Sequence, residues 1–272
     1  MFVIMGEIVK IVYEEALGVE TVKIKNLHLG KGMPKIIIPI MGKTLQEMSH
    51  ELSEAKQEKP DMIEWRADAF LHVNNIEKVL RLLAEIRKLI DDIPLLFTFR
   101  TYKEGGRKEV TLNYYEELLS QVIESGCIDV IDVELYMEQT IRERLIQCAR
   151  QNNVIVLMSN HDFQTTPANE DMLARLIAMQ ETGADIVKLA VMPQKEEDVL
   201  RLLQVAAKMK STYAQKPFIT IAMGPLGILS RIGGEVVGSA ASFGSAIQAS
   251  APGQITAVEL RYMLQTIHRY SK

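Results

Sequence analysis

Short apolar runs rich in Ile, Val and Leu recur along the chain, and longer stretches with helical spacing separate them. The runs occupy 35–41 (KIIIPIM), 62–68 (MIEWRAD), 94–100 (PLLFTFR), 129–135 (DVIDVEL), 154–161 (VIVLMSNH), 185–192 (DIVKLAVM), 217–224 (PFITIAMG) and 235–243 (EVVGSAASF). Their length and β-rich content predict strands. Between the second and third, Ile76, Val79, Leu80, Leu83, Ile86 and Ile90 fall on one helical face. Leu173, Leu176 and Ile177, and then Val199, Leu202, Leu203, Val205 and Ala206, repeat that spacing later in the chain. The repeat of about 30 residues is the size of a βα unit. Alternating strands and helices force a parallel sheet covered by helices.

Eight units in one chain predict an α/β fold of the closed (β/α)8 TIM barrel type. The rival, an open doubly wound sheet, normally places a Gly-rich nucleotide turn after an early strand. Here the first run leads into Met41-Gly42-Lys43-Thr44, without GxGxxG or GxxxxGK[ST]. Before it, 21–29 alternates through Val22, Ile24, Leu27 and Leu29 and turns at Gly30-Lys31-Gly32. This predicts a small N-terminal β-hairpin capping the bottom of the barrel. Residues 1–20 lie outside the pattern and are read as an N-terminal extension. Residues 21–272 are read as a single catalytic barrel domain.

Composition narrows the partners. The chain has 272 residues, 47% hydrophobic and 24% charged, enough apolar material for a large core. A net charge of −4 gives no electrostatic reason to expect nucleic acid or a membrane surface. No apolar run approaches the roughly 18 residues of a membrane helix. The opening apolar residues Met1–Met5 meet Glu7 and Lys10 and have no basic segment before them, so a secretion signal is not expected. Cys127 and Cys148 are too few for a disulfide scaffold or a thiolate metal cluster. A cytoplasmic protein is the expectation.

In such a barrel, chemistry belongs at the C-terminal ends of the strands. Glu64, Arg66 and Asp68 alternate and so point into the barrel together, as do Asp132 and Glu134. Buried charges need partners or a ligand. Either a salt-bridged interior layer or a ligand site satisfies that need. Arg100 ends the third run, and Glu104 follows in the loop Lys103-Glu104-Gly105-Gly106-Arg107. His161 ends the fifth, where an imidazole titrating near neutral pH suits proton transfer, or where it stands beside a helix cap at Asp162 or Thr165. Lys188 is the sharpest anomaly. A lysine between Val187 and Leu189 in a central strand has its ammonium disfavoured, and its free amine can attack a carbonyl to form a Schiff base. Arg231, beyond the seventh run, suits a carboxylate or phosphate. The small segment 250–254 (SAPGQ) has the character of a mobile lid.

These residues stand in six ordered motifs: Glu64-Trp65-Arg66-Ala67-Asp68, Phe99-Arg100 with Lys103-Glu104-Gly105-Gly106, Ser159-Asn160-His161-Asp162-Phe163, Ile186-Val187-Lys188-Leu189-Ala190, Met223-Gly224 with Ser230-Arg231, and Ser250-Ala251-Pro252-Gly253-Gln254. From about Lys31 onward the chain closely resembles the type I 3-dehydroquinate dehydratases, Schiff-base lyases of the shikimate pathway. The resemblance implies that Lys188 forms the imine with the C3 ketone of 3-dehydroquinate. It implies that His161 removes the C2 proton and protonates the departing C1 hydroxyl, with Glu104 orienting it. Arg231 would pair with the substrate carboxylate, and Glu64, Arg66 and Arg100 would hold ring hydroxyls. Ser250 and Gln254 would close from the lid, and Met223 would lie against the imine. No metal or organic cofactor and a homodimer are further implications. Pro39 occupies a position where a small hydroxyl residue is expected from the resemblance.

The residues by themselves leave three other readings. A class I aldolase acting on a phosphorylated sugar would share Lys188 and use Gly224, Gly227 and Gly233-Gly234 as a phosphate cradle. A catalytically silent barrel would merely bind a small anion. A magnesium-dependent enolisation site would draw on Asp68, Asp132 and Glu134.

Overall fold

The computed structural model describes residues 19–246 and 253–271. The expected extension, read as 1–20, therefore falls outside the described residues except for its last two. A two-stranded antiparallel hairpin, β1 (Val22–Ile24) and β2 (Leu27–Leu29), comes first. Then follow β3 (Lys35–Ile40), α1 (Leu45–Gln57), β4 (Met62–Arg66), α2 (Ile76–Ile90), β5 (Leu95–Thr98) and α3 (Leu112–Glu124). The middle of the chain forms β6 (Val130–Glu134), α4 (Gln139–Gln151), β7 (Ile155–Asp162), α5 (Asn169–Glu181), β8 (Ile186–Val191) and α6 (Glu196–Lys208). It ends with β9 (Phe218–Ala222), two short helices α7 (Ile228–Ile232) and α8 (Gly234–Val237), β10 (Ala241–Phe243) and α9 (Ala257–Tyr270).

The strands β3 to β10 form one eight-stranded sheet of parallel neighbours in the order β10-β3-β4-β5-β6-β7-β8-β9. The Ala240 amide donates to the Phe218 carbonyl at 2.7 Å and closes β10 onto β9. The fold is the (β/α)8 barrel that the alternation predicts. Local chemistry starts the helices: Thr44, Asn75, Thr111 and Thr256 each accept a first-turn amide with a side-chain oxygen.

Side-chain alternation divides the core in two. Outward residues such as Ile38, Trp65, Phe97, Val133, Met158 and Leu189 pack beneath the helices. Inward residues at the strand starts, among them Ile37, Met62, Leu96, Val130, Leu157 and Ile186, form a second apolar cluster inside the barrel. Ile24, Leu27 and Leu29 of the hairpin join that inner cluster. The hairpin thus seals the N-terminal mouth with apolar side chains. All the polar interior positions lie further along the strands, towards the open end.

Most strands are trimmed at their ends relative to the predicted runs, and in three the difference changes the reading. The 62–68 run stops at Arg66, and 67–69 form a 3₁₀ turn, so Asp68 leaves the alternation with Glu64 and Arg66. The 94–100 run stops at Thr98, so Arg100 stands just past the strand. In the 235–243 run only Ala241–Phe243 is strand. Its first part is α8, ended by Gly238 in the left-handed conformation at φ 90°. That glycine terminates a helical turn, and apolar content alone cannot distinguish the turn from a strand start.

Candidate active site

At the C-terminal end of the barrel a cavity opens. Glu64 and Arg66 from β4, Arg100 after β5, His161 from β7, Lys188 from β8 and Arg231 from α7 line it. Met223 and Gln254 line it as well. Eight of the sequence-predicted residues therefore converge on one space. Glu104 stands behind His161 rather than in the cavity wall. Ser250 lies outside the described residues.

Lys188 is 6% exposed. Its Nζ sits 4.1 Å from the centre of the Phe243 ring, over the face of the aromatic. Burial lowers its pKa from the ordinary lysine range, and the Arg100 and Arg66 guanidinium groups reinforce that, while Glu64 and Asp132 oppose it. The result is an amine more easily freed of its proton than a surface lysine.

The imidazole of His161 faces Glu104, with Nδ1 3.0 Å from Oε2. The same carboxylate oxygen accepts the His161 backbone amide at 3.0 Å, and its other oxygen accepts the Asn160 side-chain amide at 3.0 Å. Burial, and then the cations Arg100, Lys188 and Arg66, push the imidazole well below its ordinary range. Burial and the neighbouring Glu134 push the Glu104 carboxyl up to about 8, against the pull of Arg100 and Asn160. The two groups share protons and titrate as a pair. With the proton on Nδ1 donated to Glu104, Nε2 is left as the basic nitrogen.

Behind the cavity wall lies a closed ionic network. Arg100 donates to Asp132 at 2.6 Å, to Glu134 at 2.9 Å and to the Ser159 hydroxyl at 2.9 Å. Ser159 in turn donates to Asp132 at 2.7 Å. Thr101 donates both its amide and its hydroxyl to Glu134. Buried charges cost several kcal/mol each unless paired in this way. Arg66 forms a two-point pair with Asp68 at 2.8 and 3.0 Å, and Asp68 also accepts the Arg107 amide. Asp68, Asp132 and Glu134 are thus engaged by guanidinium groups. Among the described residues no group of three or more His, Cys, Asp or Glu side chains is arranged to hold a metal ion.

Arg231 is buried, and burial pushes its guanidinium down to about 10. Glu64 accepts the Thr98 hydroxyl at 2.9 Å. Pro39 is aligned with Glu64 across β3 and β4, and its ring stands where a hydroxyl was expected.

The loop that carries Glu104 depends on its glycines. A Cβ on Gly106 would come within 1.8 Å of the Arg100 carbonyl oxygen. Gly106→Ala is expected to destabilise the fold by about 2–4 kcal/mol and displace Glu104. A thermal melt and the activity of the residual folded fraction check it, and an unchanged melt would contradict it.

Comparison with known proteins decides the family. A sequence model described as type I 3-dehydroquinase matches residues 36–271. The chain belongs to the type I 3-dehydroquinase family. The 3-dehydroquinate dehydratase of Clostridium novyi is 47% identical over 249 residues, covering 92% of this chain and 98% of that one. The Bacillus subtilis enzyme is 45% identical over 249 residues, covering 92% and 98%. Among solved structures, the Clostridium difficile type I 3-dehydroquinate dehydratase with covalently modified comenic acid superposes with a TM-score of 0.89 at 45% identity, covering 92% of this chain and 98% of that one. The Geobacillus kaustophilus 3-dehydroquinate dehydratase does so at 0.91 and 34% identity, covering 94% and 99%.

Family membership answers the aldolase alternative, and the glycines agree with it. A Cβ on Gly227 would meet the Ala222 carbonyl at 1.9 Å, so that glycine serves close packing of α7 on β9. Phe163 and Ala190, which stand in the sequence motifs without an assigned role, and Ile221 and Phe243, which sequence reasoning missed, complete the cavity wall. The signal for Ile221 and Phe243 was their inward phase near strand ends. It drew no notice because apolar residues are ordinary there.

Proposed function

We propose that this chain dehydrates 3-dehydroquinate to 3-dehydroshikimate by syn elimination through a Lys188 Schiff base. The observation that carries the reading is a buried lysine amine of lowered pKa sharing one cavity with the His161–Glu104 pair. The Lys188 nitrogen adds to the C3 carbonyl, and water leaves to give a protonated imine. The imine draws electrons from C2, so neutral Nε2 of His161 can take the C2 proton. The enamine then expels the C1 hydroxyl, which receives that proton from His161 and departs as water. Hydrolysis of the imine releases product and regenerates the amine. Glu104 holds the ring in the required tautomer and stabilises the imidazolium between the two transfers.

In this reading Arg231 receives the substrate carboxylate, and Met223 lies against the imine. Glu64 and Arg66 face the ring hydroxyls, and Gln254 and Ser250 close from the lid. Arg100 places three of its five N–H donors on Asp132, Glu134 and Ser159, and offers the ligand its remaining donors and its positive charge. Neither metal nor organic cofactor enters any step. The reading includes a single catalytic barrel domain over 21–272 and a cytoplasmic homodimer without nucleic-acid or membrane partners. The net charge of −4 gives no electrostatic attraction to a polyanion such as nucleic acid or to an anionic membrane surface. No described helix is long and apolar enough to cross a membrane.

Incubation with 3-dehydroquinate and sodium borohydride tests the reading. A stable mass increase mapping to Lys188 is expected, and an unmodified protein would favour the silent barrel. Arg231→Gln is expected to raise KM by about 10- to 100-fold, the worth of a charge-assisted hydrogen bond. Steady-state kinetics check it, and an unaltered KM would remove Arg231 from the carboxylate site. A thermal melt of the variant separates a loss of binding from a loss of fold.

A further inference from the structure

The hydrogen bonds behind His161 run on past Glu104. Asn160 is 2% exposed and stands between two partners of fixed character. Its Nδ2 donates to Glu104 Oε1 at 3.0 Å, and its Oδ1 accepts from Arg175 Nη1 at 3.0 Å. Arg175 projects from α5 and is itself restrained. It pairs with Asp162 at 3.5 Å and lies 5.8 Å from the centre of the Tyr136 ring.

A guanidinium can only donate. It therefore dictates which end of the Asn160 amide faces which way. The carbonyl must turn to Arg175, and the NH₂ must turn to Glu104. Were the amide reversed, its carbonyl oxygen would confront the carboxylate, an arrangement tolerable only if Glu104 took up a proton. We infer that Arg175 is a positioning residue for the reaction, acting through Asn160 to keep the Glu104 carboxylate ionised and aimed at His161. The inference rests on the reading in which His161 is the base. It adds a contribution from the helical layer, outside the cavity, to the proton-transfer pair.

The sign of the effect follows from the groups around Glu104. Glu134 and Asp132 on β6 favour its protonated form, while Arg100 and the Asn160 amide favour the carboxylate, and His161 shares its proton. Loss of the amide donor stabilises the protonated pair. The base-competent form then appears only at higher pH, and the acid limb of the kcat/KM profile moves upward.

The experiment compares Arg175→Met, Arg175→Lys and Asn160→Asp with the unmodified enzyme. Activity is normalised to the sites that accept a borohydride-trapped adduct, which removes any misfolded fraction. In Arg175→Met and Asn160→Asp the acid limb is expected to move to higher pH by on the order of one unit, the worth of a hydrogen bond to a charged group. kcat per labelled site falls at neutral pH, while KM changes little because neither side chain lines the cavity. Arg175→Lys, which keeps a donor facing Oδ1, restores the limb towards its original position. A limb unmoved in both Arg175→Met and Asn160→Asp, with normal kcat per labelled site, overturns the inference and leaves these residues a purely structural role. Should one variant fail to fold, the other reads the same limb. Failure of the underlying reading is separate: it shows as normal turnover in His161→Ala, whatever Arg175 does.

Discussion

Lys188→Ala is expected to lose activity by a factor on the order of 10⁵–10⁶, the scale seen when a covalent nucleophile is removed. The same variant should emerge from 3-dehydroquinate and borohydride with its mass unchanged. The magnitude follows from the chemistry. Without the imine, the C2 proton is acidified only by a neutral ketone, and no electron sink replaces it. The site offers no substitute amine, because the cations beside Lys188 are guanidinium groups that stay protonated at any working pH. The fold should tolerate the change, since a buried ammonium carries a desolvation cost that its loss relieves. Lys188→Met, which fills the same volume against Phe243, separates chemistry from packing. Turnover within tenfold of the unmodified enzyme in either variant would end the Schiff-base proposal.

His161→Ala is expected to behave differently. It retains Lys188 and so should still be trapped as a borohydride adduct, yet kcat falls by about 10²–10⁴, the contribution of a positioned acid–base group. The trapped species should accumulate, because imine formation outpaces proton transfer. Vacating the ring leaves space beside the Glu104 carboxylate, and added imidazole should restore part of the rate. Near-normal turnover would remove His161 from the mechanism and leave Glu104 without a purpose in it.

The two variants together explain why some of this site is legible in one dimension. Lys188 and His161 are anomalies of phase: polar residues at inward positions of strands whose neighbours are Val, Leu and Met. A period of two tells which way they point, and burial without a partner is costly enough that each demands a reason. Helix α2 was legible for the complementary reason. Its apolar face recurs at a period near 3.6 from Ile76 to Ile90, and the helix spans those residues. Glu104 was far weaker as a sequence signal, since a glutamate in a glycine-containing loop is usually solvated. Only resemblance singled it out. Arg100 stands two residues past the strand it was expected to end, and nothing in its neighbourhood says that it donates to Asp132, Glu134 and Ser159, which lie 32, 34 and 59 positions away in the chain.

The sequence by itself determined the barrel, the hairpin beneath it and the direction of the inward side chains, and it singled out the lysine and imidazole as candidates. All of these rest on local periodicity and on the cost of burying charge, which act over a few residues. The tertiary structure alone decided which carboxylate each cation meets, how Phe243 covers Lys188, and how Arg175 on a helix comes to face Asn160 on a strand. Those pairings depend on barrel closure and on the packing of helices over strands. Loops and turns of variable length set that geometry, and a one-dimensional pattern carries no distance between them.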